Sequence, residues 1–81
     1  MKVRIRFLST FREIVGSSEK LLELPEGSPV GSLLEEIHRQ FPRLGDNRDQ
    51  MFVSINRKKV TDLQVLHEGD EVVLFPPSVG G

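Results

Sequence analysis

No cysteine occurs among the 81 residues, which excludes a disulfide framework, a thiolate metal site and a thiol nucleophile. Any sulfur chemistry must use another atom. An excess of charge of one sign is lacking as well: 11 Lys plus Arg stand against 12 Asp plus Glu, a formal net charge of -1. That balance offers no general attraction to nucleic acid or to an anionic membrane. No apolar run approaches the roughly 18 residues a membrane-spanning helix needs, and the opening Met1–Ser9 stretch has no apolar signal core. The expected setting is the cytoplasm.

What is present is a 37% hydrophobic content, too high for a disordered chain, in a length that holds one core. A domain of this size buries only roughly 60% of the surface its unfolded chain exposes, which leaves little apolar material for an enclosed catalytic pocket. Function is expected on a surface or at a terminus. Residues 1 to 12 carry four basic and no acidic side chains, whereas residues 61 to 81 carry four acidic and no basic ones. Chain ends that are neighbours in the fold would attract.

Val3, Ile5 and Phe7 alternate with Lys2, Arg4 and Arg6, which predicts a half-buried strand over residues 2 to 8. Thr10 and Glu13 fit a capping box for a short helix over 11 to 15, closed by Gly16 in a left-handed conformation. Leu22 and Leu24 mark a second strand over 19 to 24, ended by the turn residues Pro25-Glu26-Gly27. Ser28 as N-cap and Pro29 in the first helical position start the main helix, on which Val30, Leu33, Leu34, Ile37 and Phe41 recur at helical spacing. Pro42 stops it, and 43 to 50 reads as a polar loop. Val53 and Ile55 mark a strand over 51 to 55, Asn56-Arg57 a turn, and Val60 a short strand. Glu68-Gly69-Asp70 turns into a last strand over 71 to 75, which Pro76-Pro77 ends because proline has no N–H to donate.

These elements predict an α+β domain over residues 1 to 75, a sheet with one main helix on one face, and a tail over 76 to 81. The expected core is Val3, Ile5, Phe7, Leu22, Leu24, Val30, Leu33, Leu34, Ile37, Val53, Ile55, Val72 and Leu74.

Ordinary active-site chemistry is poorly supplied. His38 falls on the polar side of the main helix and His67 in a turn beside Glu68, with no second imidazole placed to share a metal. Glu35-Glu36 and Asp70-Glu71 are adjacent pairs whose side chains point apart. Gly27, Gly31 and Gly69 are too scattered for a phosphate-binding loop. Arg57-Lys58-Lys59 has no flanking aromatics to stack bases and reads as a solvated turn.

Two features are left over. If Val72 and Leu74 face the helix, then Val73 and Phe75 face away from it, together with Leu8, and Arg4, Arg6 and Glu71 could border them. An apolar group on an open sheet face is either ordinary surface or a partner surface. The second feature is Phe75-Pro76-Pro77-Ser78-Val79-Gly80-Gly81. Its six residues after Phe75 extend at most roughly 20 Å, and its glycines, lacking Cβ, could thread a narrow channel. From residues alone, it is either a frayed end or a reactive arm.

Val3-Arg4-Ile5-Arg6-Phe7, Phe11-Arg12-Glu13 with Gly16, Val53-Ser54-Ile55-Asn56, Glu68-Gly69-Asp70-Glu71-Val72 and above all the Phe-Pro-Pro to Gly-Gly ending resemble a known family. It is the small, sulfur-carrier subunit of molybdopterin synthase, within the ubiquitin-like β-grasp carriers that also serve thiamin synthesis. The resemblance spans the chain and implies a mixed sheet of about five strands. It implies a non-catalytic subunit that binds no cofactor. A ubiquitin-activating-type adenylyltransferase would use ATP to adenylate Gly81, and a sulfurtransferase would replace AMP by sulfur. The thiocarboxylate would then serve the pterin precursor in the large synthase subunit.

By the same resemblance Gly81 reacts, Gly80 and Val79 line the channel with it, and Leu8, Arg12, Val73, Phe75, Pro76, Pro77 and Ser78 belong to the partner contact. One position departs from the family: Lys59 stands where the short fourth strand usually carries an apolar partner-facing residue. Archaeal-type protein modifiers share fold and tail, so the resemblance also admits attachment of Gly81 to target lysines, or sulfur supply to thiamin or tRNA thiolation. A plain interaction module with an inert tail is the remaining class.

Overall fold

The computed structural model describes residues 1–44 and 51–76. Five strands, β1 (Lys2–Phe7), β2 (Glu19–Glu23), β3 (Phe52–Ile55), β4 (Lys58–Val60) and β5 (Glu71–Phe75), form one mixed sheet in the order β2-β1-β5-β3-β4. β1 and β5 lie parallel at its centre, and the other neighbouring pairs are antiparallel. The basic first segment therefore lies beside the acidic last one, where their charges attract. Backbone bonds reinforce the pairing, with Arg4 N–H donating to Asp70 O at 2.9 Å and Gly69 N–H to Lys2 O at 2.8 Å.

The alternation of β1 is reproduced without a slip: Val3, Ile5 and Phe7 are buried, and Lys2, Arg4 and Arg6 are exposed. Helix α2 (Val30–Gln40) covers that buried face with Val30, Leu33, Leu34 and Ile37. Every residue expected in the core is buried, and Phe11, Leu44 and Leu66 join them. Each fully buried aliphatic side chain contributes roughly 1.5–3 kcal/mol relative to exposure.

Neither expected N-terminal helix cap forms. Ser28 Oγ donates to Pro25 O at 2.7 Å, closing a turn in which Gly27 takes a φ of 80°, and α2 begins only two residues later with no side-chain cap bond. Pro29 sits outside α2 in an extended conformation and bridges to Val65. The first amides of α2 instead find carbonyls of the passing loop, Val30 N–H bonding Gln64 O at 2.8 Å and Gly31 N–H bonding Asp62 O at 2.9 Å. Their hydrogen-bonding demand is thus met by tertiary structure rather than by a side chain. The polar loop expected after Pro42 begins with a 3-10 turn, Pro42–Leu44, whose Leu44 is buried. Its remaining residues, 45–50, lie outside the described residues.

Helix α1 (Thr10–Val15) starts one residue early, with Ser9 as N-cap and no side-chain cap bond, so the Thr10–Glu13 capping box does not form. Gly16 does close it, at a φ of 83° with its N–H on Arg12 O. Ser9 is held at φ 57° and ψ -134° inside a tight turn in which Phe11 N–H bonds Leu8 O. This is a conformation suited to glycine and strained for serine, by roughly 1–3 kcal/mol. Ser9→Gly is therefore expected to stabilise the fold by about 1 kcal/mol after the added unfolded-state entropy of glycine is subtracted, read as a higher urea midpoint. An unchanged or lower midpoint would show that the turn holds no such strain.

Asp70 anchors the turn before β5. Its buried carboxylate accepts the His67 N–H at 2.8 Å and, more weakly, the Asn56 amide at 3.4 Å, while Glu71 N–H donates to Asn56 Oδ1 at 3.3 Å. Asn56 and Arg57 both have positive φ, as a two-residue hairpin turn requires, so Asp70 locks the β3–β4 hairpin to β5. Asp70→Ala leaves these donors unmatched and should cost about 1.5–3 kcal/mol in urea unfolding. A loss under roughly half a kcal/mol would assign the lock elsewhere.

Candidate functional site

The sheet face opposite α2 is open. Along β5 the outward residues are Val73 and Phe75, along β3 they are Phe52 and Ser54, and β4 contributes Lys59. The register sets Phe52 opposite Phe75, and their rings lie 5.7 Å apart at a tilt of 36°. Lys59 Nζ rests 4.1 Å from the centre of the Phe52 ring. The outward aromatic expected at Phe75 is thus half-buried rather than bare, because Phe52 shields one side of it. Phe52 was not among the expected site residues, although alternation in 51 to 55 turns it outward once Val53 and Ile55 turn inward.

Leu8 follows β1 with its N–H on Leu74 O at 3.1 Å, which continues the parallel register and brings it alongside Phe75. It is 39% exposed. Helix α1 departs from this same end, tied to Leu8 and Ser9 through the Phe11 and Arg12 amides, and so carries exposed Arg12 to the end of the sheet from which the chain leaves β5. Pro76 continues from β5, half-buried. Leu8, Arg12, Val73, Phe75 and Pro76 are therefore gathered at one end of the sheet, while Pro77, Ser78, Val79, Gly80 and Gly81 lie outside the described residues.

The electrostatics of this face are uneven. Arg4, which lies opposite Glu71 in the register, sends its side chain instead to Glu19 at 3.5 Å. On the far side of the molecule, hydrogen bonds from Gln40 and Arg39 hold the Glu36 carboxyl below the usual carboxylate range. Among the described residues no three His, Asp or Glu side chains converge as a metal site, and no helix is long and apolar enough to cross a membrane. His67 stands 3.9 Å from Asp70, within the structural turn described above. What this arrangement offers chemically is a docking surface beside a departing chain.

A family model described as the ThiS family matches residues 5–81. The chain belongs to the ThiS family. Among related members, a molybdopterin synthase sulfur carrier subunit from Chlamydomonas reinhardtii is 30% identical, with both chains fully covered. A small archaeal modifier protein 3 from Haloferax volcanii is 29% identical, again with both chains fully covered. Among solved structures, a putative molybdopterin converting factor subunit 1 from Pyrococcus furiosus superposes with a TM-score of 0.85 at 32% identity, over 95% of this chain and 98% of that one. The β-grasp architecture expected from the resemblance is thereby shown, and the ThiS match runs through the Gly80-Gly81 ending.

Proposed function

We propose that this ThiS-family chain is the sulfur carrier of a molybdopterin synthase and that Gly81 carries the sulfur. The observation that supports it most is the continuity of the family match through Gly81, beyond a central strand whose end is flanked by the apolar group Leu8, Val73, Phe75 and Phe52. A free terminal carboxyl group ordinarily titrates near pH ~3.5, so at neutral pH it is an anion that resists nucleophiles. Adenylation by an activating enzyme with ATP gives an acyl adenylate and releases pyrophosphate. A sulfurtransferase persulfide then attacks the acyl carbon and AMP leaves, and a thiol reduces the resulting acyl disulfide to the thiocarboxylate. The thiocarboxylate enters the large subunit and gives its sulfur to the pterin precursor. Gly80 and Val79 would line the channel with it, and Leu8, Arg12, Val73, Phe75, Pro76, Pro77 and Ser78 would make the contact outside.

The kinship to a small archaeal modifier favours a second reading, in which Gly81 joins target lysines through isopeptide bonds. Mass spectrometry of protein taken from its native cell separates the two. A gain of about 16 Da at Gly81, sulfur in place of oxygen, marks the carrier, and a branched Gly-Gly on lysines of other proteins marks the modifier. Branched remnants without any thiocarboxylate would overturn the first reading.

A further inference from the structure

The far edge of the open face ends in a charge. Lys59 lies on β4, opposite Ser54 in the register, and although the residue is exposed its ammonium rests over the Phe52 ring. It makes no ion pair among the described residues, although Asp62 lines the same shallow depression as Lys59, Phe52 and Met51. Arg6 and Arg12, nearer the end where the chain leaves the sheet, likewise make no ion pair among the described residues. Lys59 is thus a cation held against the aromatic pair with no ion-pair partner among the described residues. A lysine on an edge strand commonly serves to discourage strand-to-strand aggregation, but that role needs no contact with an aromatic face.

A partner that covers Phe75 and Phe52 also strips water from the ammonium resting on Phe52. Desolvating an ammonium is unfavourable unless an opposite charge replaces the water. We propose that Lys59 is a partner-specificity residue. The large synthase subunit that receives this chain presents a carboxylate to Lys59, at the rim of an apolar socket for Phe52 and Phe75. The inference rests on the sulfur-carrier reading and adds to it the chemistry of the receiving surface. A large subunit built to meet an apolar residue at this position would discriminate against this chain, because it would leave the ammonium buried and unpaired.

The test is the affinity of the large subunit from the same organism for wild type, Lys59→Met and Lys59→Glu, at about 50 and about 500 mM salt. Lys59→Met keeps a long apolar stem over Phe52 and removes only the charge, so it guards against a trivial effect of lost packing. At low salt, Lys59→Met should bind roughly fivefold more weakly and Lys59→Glu more than about tenfold, and both deficits should shrink at high salt. Lys59→Met binding as tightly as wild type, or more tightly, would overturn the proposal. So would deficits that do not change with salt. Neither result would touch the sulfur-carrier reading, which requires only that wild type bind the large subunit and transfer sulfur. Failure of wild type to bind at all would remove both.

Discussion

Phe75→Asp should leave the chain folded and weaken its binding to the large synthase subunit by about 2 kcal/mol or more, roughly thirtyfold in Kd. The fold should tolerate it because Phe75 belongs to the open face, whereas its strand neighbours Leu74 and Val72 are fully buried beneath α2. Binding should not tolerate it because the ring is one half of the Phe52–Phe75 pair, the only ring-to-ring contact on that face among the described residues. A carboxylate there would lose the apolar contact of the ring and would have to be desolvated on docking. Titration of the large subunit, with urea unfolding as a control, gives the answer. Normal binding would mean that the partner docks elsewhere, and loss of the fold would mean that Phe75 is a core residue.

The sheet was legible wherever period-2 alternation ran for several residues. β1 shows it over its whole length, and register, buried face and open face all follow from it. β5 was legible instead as an apolar run between the Glu68-Gly69-Asp70 turn and Pro76. The Gly16 C-cap was legible, but the N-caps were not, because the fold starts α2 two residues beyond Ser28 and gives its first amides carbonyls of a distant loop. Leu66 escaped notice since its burial comes from a loop that follows the start of α2, without any periodicity of its own. Phe11 and Leu44 escaped for a related reason, each lying in an element too short to show a repeat.

At the site, Phe75 and Leu8 could be placed outward by counting alternate residues, and the structure puts them side by side at one end of the sheet. Phe52 could have been found by the same count. Its pairing with Phe75 could not, since that depends on the antiparallel register of β3 with β5, strands separated in sequence by β4 and a long loop. The stacking of Lys59 on Phe52 lies one step further off, because it also needs the two-residue hairpin at Asn56-Arg57. A charged residue that looked like a departure from the family pattern is thus part of the same aromatic group.

The central claim is that Gly81 does the chemistry, and deletion of that residue tests it most directly. Removing Gly81, or adding one residue after it, moves the reacting carboxylate by roughly 3.3 Å, while a displacement of about 1 Å from productive geometry already costs on the order of a hundredfold in rate. Melting temperature and affinity for the large subunit should stay nearly unchanged, since a glycine carries no side chain to bury. The measurement is pterin product formed by the reconstituted pair of subunits supplied with ATP, activating enzyme and a sulfur donor. Loss of product on deleting Gly81, with fold and affinity retained, is the expected result. Continued multiple turnovers by the truncated chain would contradict the assignment of Gly81 as the sulfur-bearing residue.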